Sequence, residues 1–199
     1  MYPLFETIKV SDGRLLHLQW HQKRVNHSFK MYYNRTFNLV LEDCINVPDH
    51  AQNGVYKCRM LYNEYDFKIA FEPYAPRQLR SLRLVHSDDI DYSLKFTDRS
   101  QLEELLAKRG ECDDILIVRK GFITDTSYAN VAFYDTKGWY TPAHPLLKGT
   151  KRNRLIEEGK LAEKDIRIRD LGDYKVCRLI NAMLGFDSSN EIDLNAIQG

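Results

Sequence analysis

The sequence lacks most of the signals that settle a function at once. No run of 18 apolar residues occurs, so no membrane-spanning helix is expected. Charge of one sign is not in excess: 29 Lys and Arg stand against 28 Asp and Glu. The net charge of +1 leaves no long-range field to steer the molecule onto nucleic acid or an anionic membrane. Cysteine is scarce, and Cys44, Cys58, Cys112 and Cys177 form no Cys-x-x-Cys pair. That spacing argues against a zinc site and a disulfide scaffold, and it fits a reducing cytoplasm. Residues 1–9 carry no basic start leading into an apolar run, so no signal peptide is expected. Gly-x-Gly-x-x-Gly and P-loop patterns are missing, which removes the common nucleotide cradles. There is no Gly-x-Ser-x-Gly elbow. Repeats and low-complexity tracts are absent as well.

What remains is an ordinary soluble composition, with 43% hydrophobic and 29% charged residues in 199. At roughly 150 residues per domain, this length makes one large domain or two small ones. Residues 5–10 read as a strand, Ser11-Asp12-Gly13 as a hairpin turn, and 15–18 as the return strand. A helix is predicted over 20–34 and a second helical stretch over 39–46. Strands over 55–63 and 67–74 form a second hairpin. Pro73 to Pro76 reads as an extended linker and places a domain boundary, dividing the chain into 1–75 and 76–199. A strand follows at 82–86. A helix over 100–109 has Ser100 as N-cap, Glu103 at the capping-box position and Gly110 as stop. Strands are predicted at 115–118, 122–124, 130–134, 139–140 and 176–180, with a helix over 150–159. The tail after Asp187 is acidic and expected to fray. Hairpins outnumber strand–helix–strand units, so the fold class is α+β.

Single residues rise little above ordinary explanations. His17 and His21 have the i, i+4 spacing of helical metal ligands. However, His17 is expected in the strand before the helix, and no carboxylate stands in register, so no metal is expected. Residues 148–154 hold four basic side chains in seven. They suit a solvated helix start, a small phosphate on the first amides of a helix that Gly149 opens, or a nucleic-acid patch. Without interleaved aromatics the last is the poorest fit. Asp125 to Asn130 reads as a polar loop between strands, and Lys95 on its own as a surface lysine.

Taken in order, these segments resemble the class IV aminotransferase family, the pyridoxal-phosphate (PLP) enzymes of fold type IV. That family includes branched-chain and D-amino-acid aminotransferases and 4-amino-4-deoxychorismate lyase. Phe5-Glu6-Thr7-Ile8-Lys9-Val10, Asp12-Gly13 and His21-x-x-Arg24 resemble its N-terminal block. Leu94-Lys95-Phe96-Thr97-Asp98-Arg99 resembles the lysine block, Asp125 to Asn130 the acidic block, and Leu146-Leu147-Lys148-Gly149-Thr150-Lys151-Arg152 the phosphate block. Asn181-Ala182-Met183 resembles the turn after the last strand. The blocks span residues 5–186.

The resemblance implies a small N-terminal α/β domain, a larger β-rich domain, and PLP at their interface. Lys95 is then the Schiff-base lysine and takes the substrate proton. Arg24 forks onto the phosphate, which the amides of Gly149, Thr150, Lys151 and Ala182 also hold. Asp125 faces the ring nitrogen, and Asn130 and Asn181 complete the cofactor set. Arg59 and Arg99 are candidates for the substrate, although strand alternation equally allows Arg59 to face solvent. Asp98-Arg99 and Asn181-Ala182-Met183 are most similar to the lyase branch, which releases pyruvate and 4-aminobenzoate for folate synthesis. An amino-acid transaminase and a non-catalytic PLP-binding relative are the alternatives. A cytoplasmic homodimer with a small amino substrate, and no nucleic-acid or membrane partner, is implied. Two departures stand out: Asp125 replaces the usual Glu, and the family usually carries about twenty more residues before Phe5.

Overall fold

The computed structural model of the protein describes residues 1–187 and 191–199. The chain forms two compact units. The first holds Met1–Pro76 together with Leu94–Asp98, and the second holds Arg77–Ser93 and Arg99–Gly199. Lys95 therefore packs with the first unit, although the stretches that flank Leu94–Asp98 on both sides belong to the second.

The first unit opens with strand β1 (Leu4–Ser11) and a two-residue return, β2 (Arg14–Leu15). Between them Asp12 and Gly13 both take positive φ, 47° and 75°, as a tight hairpin turn of this hand requires. A Cβ on Gly13 would also meet Gln52 Oε1 at 2.2 Å. The return strand is shorter than expected. His17 turns left-handed at φ 57° and its carbonyl accepts from the Trp20 amide, so helix α1 (Leu18–Tyr33) begins at Leu18. His17 thus sits at a helix start rather than in a strand. Asn34, at φ 53°, ends the helix in the left-handed conformation common there. The second helical stretch reduces to one turn, α2 (Leu41–Cys44). Strands β3 (Val55–Tyr62) and β4 (Phe67–Pro73) complete an antiparallel sheet in the order β2-β1-β3-β4. Period-two alternation sends Leu4, Ile8 and Val10 of β1, and Cys58, Met60 and Tyr62 of β3, into one core with Val25 and Phe29 of α1. Leu94 packs into the same core. The segment around it hydrogen-bonds along β1: the Phe5 amide donates to the Lys95 carbonyl at 3.0 Å, and the Thr97 amide to the Pro3 carbonyl at 2.8 Å.

The second unit is built on one sheet of nine strands among the described residues. Strand β5 (Leu82–His86) is followed by helix α3 (Ser100–Leu106). Arg99, not Ser100, is the N-cap of α3, because the Glu103 amide already bonds the Arg99 carbonyl at 2.9 Å; no side chain caps this helix. Then come β6 (Asp114–Arg119), β7 (Phe122–Thr126), β8 (Asn130–Tyr134) and β9 (Trp139–Pro142). Helix α4 (Thr150–Glu157), β10 (Ala162–Lys164) and β11 (Val176–Ile180) follow. The tail corrects the expectation of fraying. Its first residues, 188–190, lie outside the described residues, but β12 (Glu191–Asp193) pairs β11 and β13 (Ile197–Gln198) pairs β5. Ile192 is 1% exposed and belongs to the core of this unit, which accounts for the order. Among the described residues, no helix is long and apolar enough to cross a membrane.

Candidate active site

In the first unit the candidate residues divide between the two faces of the sheet. Phe5 alternates away from Leu4 and Glu6. Its ring lies 4.6 Å from Lys95 Nζ and 4.6 Å from Arg59 Cζ, centroid to atom. Arg59 is half-buried on β3, paired with Thr7 and Ala70, on the face opposite Cys58 and Met60. The open choice for Arg59 thus resolves to the face of Phe5, away from the apolar core. Lys95 is half-buried beside the same ring.

The core face holds an acid where the strand pattern asks for an apolar residue. Glu6 is 0% exposed, between Leu4 and Ile8. Arg24 and His21 are three residues apart on α1, so they share its inner face. Arg24 Nε donates to Glu6 Oε1 at 2.7 Å, and Nη2 donates to Oε2 at 2.5 Å. His21 Nδ1 lies 2.6 Å from Oε2. Burial alone would raise the Glu6 pKa; the Arg24 charge and the hydrogen bonds from His21 and Arg24 outweigh it and hold the carboxyl at about 2. Burial pushes His21 below the ordinary histidine value, and the charges of Arg24 and Lys95 add to the push against the pull of Glu6. A neutral His21 facing an ionised carboxylate must carry its proton on Nδ1. Arg24 is accordingly no freely presented fork. Its Nε–Nη2 edge belongs to Glu6, and any anion it binds must meet the Nη1 end. Neither Glu6 nor His21 was given a role from the sequence. The signal was available in an acid at an inward-facing position of β1, with a His-x-x-Arg pair on the helix that covers it.

In the second unit the candidates gather at one end of the sheet. Asp125 near the end of β7 pairs across to Asn130 at the start of β8, and Asn130 pairs Ile180 at the end of β11. Asp125 is 5% exposed. Its Oδ1 accepts from Asn130 Nδ2 at 2.7 Å and its Oδ2 from the Leu147 amide at 3.0 Å. Asn130 Nδ2 also donates to the Leu147 carbonyl at 2.8 Å, so one carboxamide ties the strand start to the loop before α4. Burial raises the Asp125 pKa to about 6, against the Leu147 amide, the Asn130 side chain, the Leu146 amide and the more remote Arg152 charge. The turn between Asp125 and Asn130 is closed by Thr126, which exchanges hydrogen bonds with Ala129. Arg99 is fastened to that turn: Nη2 donates to the Ser127 carbonyl at 2.7 Å, and Cζ lies 5.7 Å from the Tyr92 ring centroid.

Gly149 is the N-cap of α4, and no side chain caps the helix there. The first amides of a helix lack partners within it and carry its positive dipole end. Thr150 is buried at the first position, and the Lys151 side chain donates to the Leu184 carbonyl. That bond ties the helix start to the turn after β11. Asn181 spends its side-chain oxygen inside this turn, accepting from the Met183 amide at 2.9 Å and the Leu184 amide at 3.0 Å. Ala182 lies between Asn181 and Met183, partly buried. Arg152 was not among the sequence candidates. It is 1% exposed and donates to the Pro142 carbonyl at 2.9 Å and to Glu163 at 2.6 Å, bracing α4 against β9 and β10. A buried arginine behind a glycine-opened helix has no distinctive mark in a single sequence.

These donor sets fit PLP. A buried carboxyl whose hydrogen-bond partners here are neutral gains a counter-charge from a pyridinium. A glycine-opened helix start with no side-chain cap suits a phosphate, and Lys95 supplies the primary amine that an aldehyde requires. Comparison with known proteins agrees. Residues 3–188 match the model of the family described as amino-transferase class IV. An uncharacterized protein of Haemophilus influenzae is 40% identical over 189 residues, 93% of this chain and 100% of its own. A crystal structure from Haemophilus somnus, provisionally called a 4-amino-4-deoxychorismate lyase, is 37% identical, with a TM-score of 0.87 over 94% of this chain and 98% of that one. The PLP-bound form of a hypothetical aminotransferase from Mycobacterium tuberculosis shares the fold, with a TM-score of 0.79 at 19% identity over 99% of this chain and 81% of that one. With most of its length matched, and a relative of the same span at this identity, the chain belongs to the class IV amino-transferase family of PLP-dependent enzymes.

Proposed function

We propose that the protein binds PLP and is a 4-amino-4-deoxychorismate lyase, converting that substrate to 4-aminobenzoate and pyruvate. The observation that carries the choice of branch is Arg99, held by the Ser127 carbonyl on the turn between Asp125 and Asn130. The substrate bears two carboxylates and asks for two cations. Arg99 and Arg59 are the candidates. The 37% identical structure with the provisional lyase name supports the same branch.

Bound PLP supplies an electron sink conjugated to the substrate nitrogen. Lys95 would provide the amine that holds the cofactor and, once the substrate amine has displaced it, would take the proton from the carbon bearing the substrate nitrogen. Asp125, in its carboxylate form, keeps the ring nitrogen protonated. Asn130 and the Leu147 amide hold that carboxylate in place. The amides of Gly149, Thr150 and Lys151 at the start of α4, with that of Ala182, bind the phosphate, as does the Nη1 end of Arg24. Asn181 shapes the turn that presents Ala182.

The test is an assay on aminodeoxychorismate with no 2-oxo acid present. The reading expects 4-aminobenzoate and pyruvate in equal amounts, and a loss of at least about a thousandfold in Lys95→Ala, the order of effect of removing a residue that handles the proton. Turnover that requires a 2-oxo acid acceptor would make the protein a transaminase instead. A protein that takes up no PLP, judged by its visible absorption, would be neither.

A further inference from the structure

From the buried cluster of the first unit we infer that Glu6 is a positioning residue for cofactor binding. Its carboxylate fixes the guanidinium of Arg24 in one orientation, so that the Nη1 end is presented to the cofactor phosphate. The inference rests on the proposal that Arg24 binds that phosphate, and it adds Glu6 to the residues on which binding depends.

The geometry is specific. Glu6 accepts three hydrogen bonds from two side chains of α1, with both oxygens used and no exposure to water. An Arg–carboxylate pair joined by two parallel bonds is fixed in plane as well as in distance. The Arg24 side chain is 11% exposed, so it has little room to swing. His21 makes the third bond, to the Oε2 that Arg24 Nη2 also holds. A leucine or isoleucine at position 6 would pack this core face at lower desolvation cost. The acid instead holds a cation at the margin of the core.

Charge and orientation predict opposite outcomes, which makes the inference testable. Glu6 and Arg24 cancel, and His21 is neutral, so the cluster offers a phosphate dianion little net charge. Removing the Glu6 charge leaves Arg24 uncompensated. If only charge matters, phosphate binding then tightens. If orientation matters, it weakens.

The experiment measures dissociation constants of the cofactor-free protein for PLP and for pyridoxal, which lacks the phosphate. Glu6→Gln should weaken PLP about tenfold or more and leave pyridoxal within about twofold, the size expected for removing a group that orients a ligand contact. Unchanged or tighter PLP binding overturns the inference, because charge then outweighs orientation. Equal weakening of both ligands also overturns it, because Glu6 is then only part of the core. Should Glu6→Gln fail to fold by circular dichroism, Glu6→Asp applies the same test: the charge is kept, the carboxylate is withdrawn by one methylene, and the PLP-to-pyridoxal preference should still fall. Arg24→Ala separates the two layers of the argument. If it leaves the PLP-to-pyridoxal preference at the wild-type value, the phosphate role of Arg24 has failed, whatever Glu6 does.

Discussion

At Gly149 an added Cβ would lie 2.0 Å from Asn130 Oδ1, while φ there is −63°, a value any residue adopts. The glycine is needed for close approach and not for backbone freedom. Asn130 cannot simply retreat, because its Nδ2 holds both Asp125 and the Leu147 carbonyl. Gly149→Ala should therefore push the Asn130 side chain off Asp125 and loosen the loop into α4. Overpacking of this kind costs about 1–3 kcal/mol. Urea unfolding should show that loss, and PLP titration should show weaker binding in the same variant. Wild-type values in both measurements would mean that Asn130 has a second acceptable position and that the clamp is not specific. Asn181 shows the converse at this scale: its side-chain oxygen is spent on its own turn, so the part in binding proposed for it runs through backbone shape.

At the scale of elements, those with strong local signals were legible in the sequence. Strands β5, β8 and β11 fall where β-branched and aromatic runs place them, and the Asp12-Gly13 turn is where the dipeptide predicts. Helix edges were less legible because they are set by single backbone bonds. The carbonyls of His17 and Arg99 accept the first helical hydrogen bonds, and no side chain announces either start. The short strands β10, β12 and β13 form through pairing with distant partners, and two or three residues carry no periodicity to read. The site was legible only where the ordered blocks resembled a family. Glu6 stayed hidden because its meaning depends on α1 crossing β1. The tail is the clearest such case, since its order comes from Ile192 seated in the core opposite Cys177. Ile192→Ala should cost about 2–4 kcal/mol, as other buried Ile truncations do. Limited proteolysis should then cut the tail faster than in the wild type. A variant with an unchanged urea midpoint would return the tail to the frayed state its composition suggests.

Across the whole molecule, the near-balance of charge conceals buried carboxylates tuned in opposite directions, Glu6 and Asp125 among them. Glu6 is held at about 2, below its ordinary 4.5, so the stability it contributes is present above pH 4.5 and is lost as pH falls toward 2. Asp125 is raised to about 6 from 3.8. The folded state thus binds the Asp125 proton more tightly than the unfolded state does. This stability is present below pH 3.8 and is lost as pH rises through 6. The shift corresponds to about 3 kcal/mol for a group this buried. Above pH 6 the cofactor-free protein carries an ionised Asp125 that water does not solvate, and a pyridinium bound there would remove that cost. Asp125→Asn lacks the charge at every pH. Relative to wild type, the cofactor-free variant should be more stable at pH 7.5 than at pH 4 by about 2–3 kcal/mol, read from urea unfolding at both values. With saturating PLP the order should reverse at pH 7.5, because only the wild type gains the ion pair and its linked stability. A difference between the two proteins that stays flat from pH 4 to pH 7.5 would show that Asp125 titrates normally, and with it would go the argument that burial readies this carboxylate for a cationic ring.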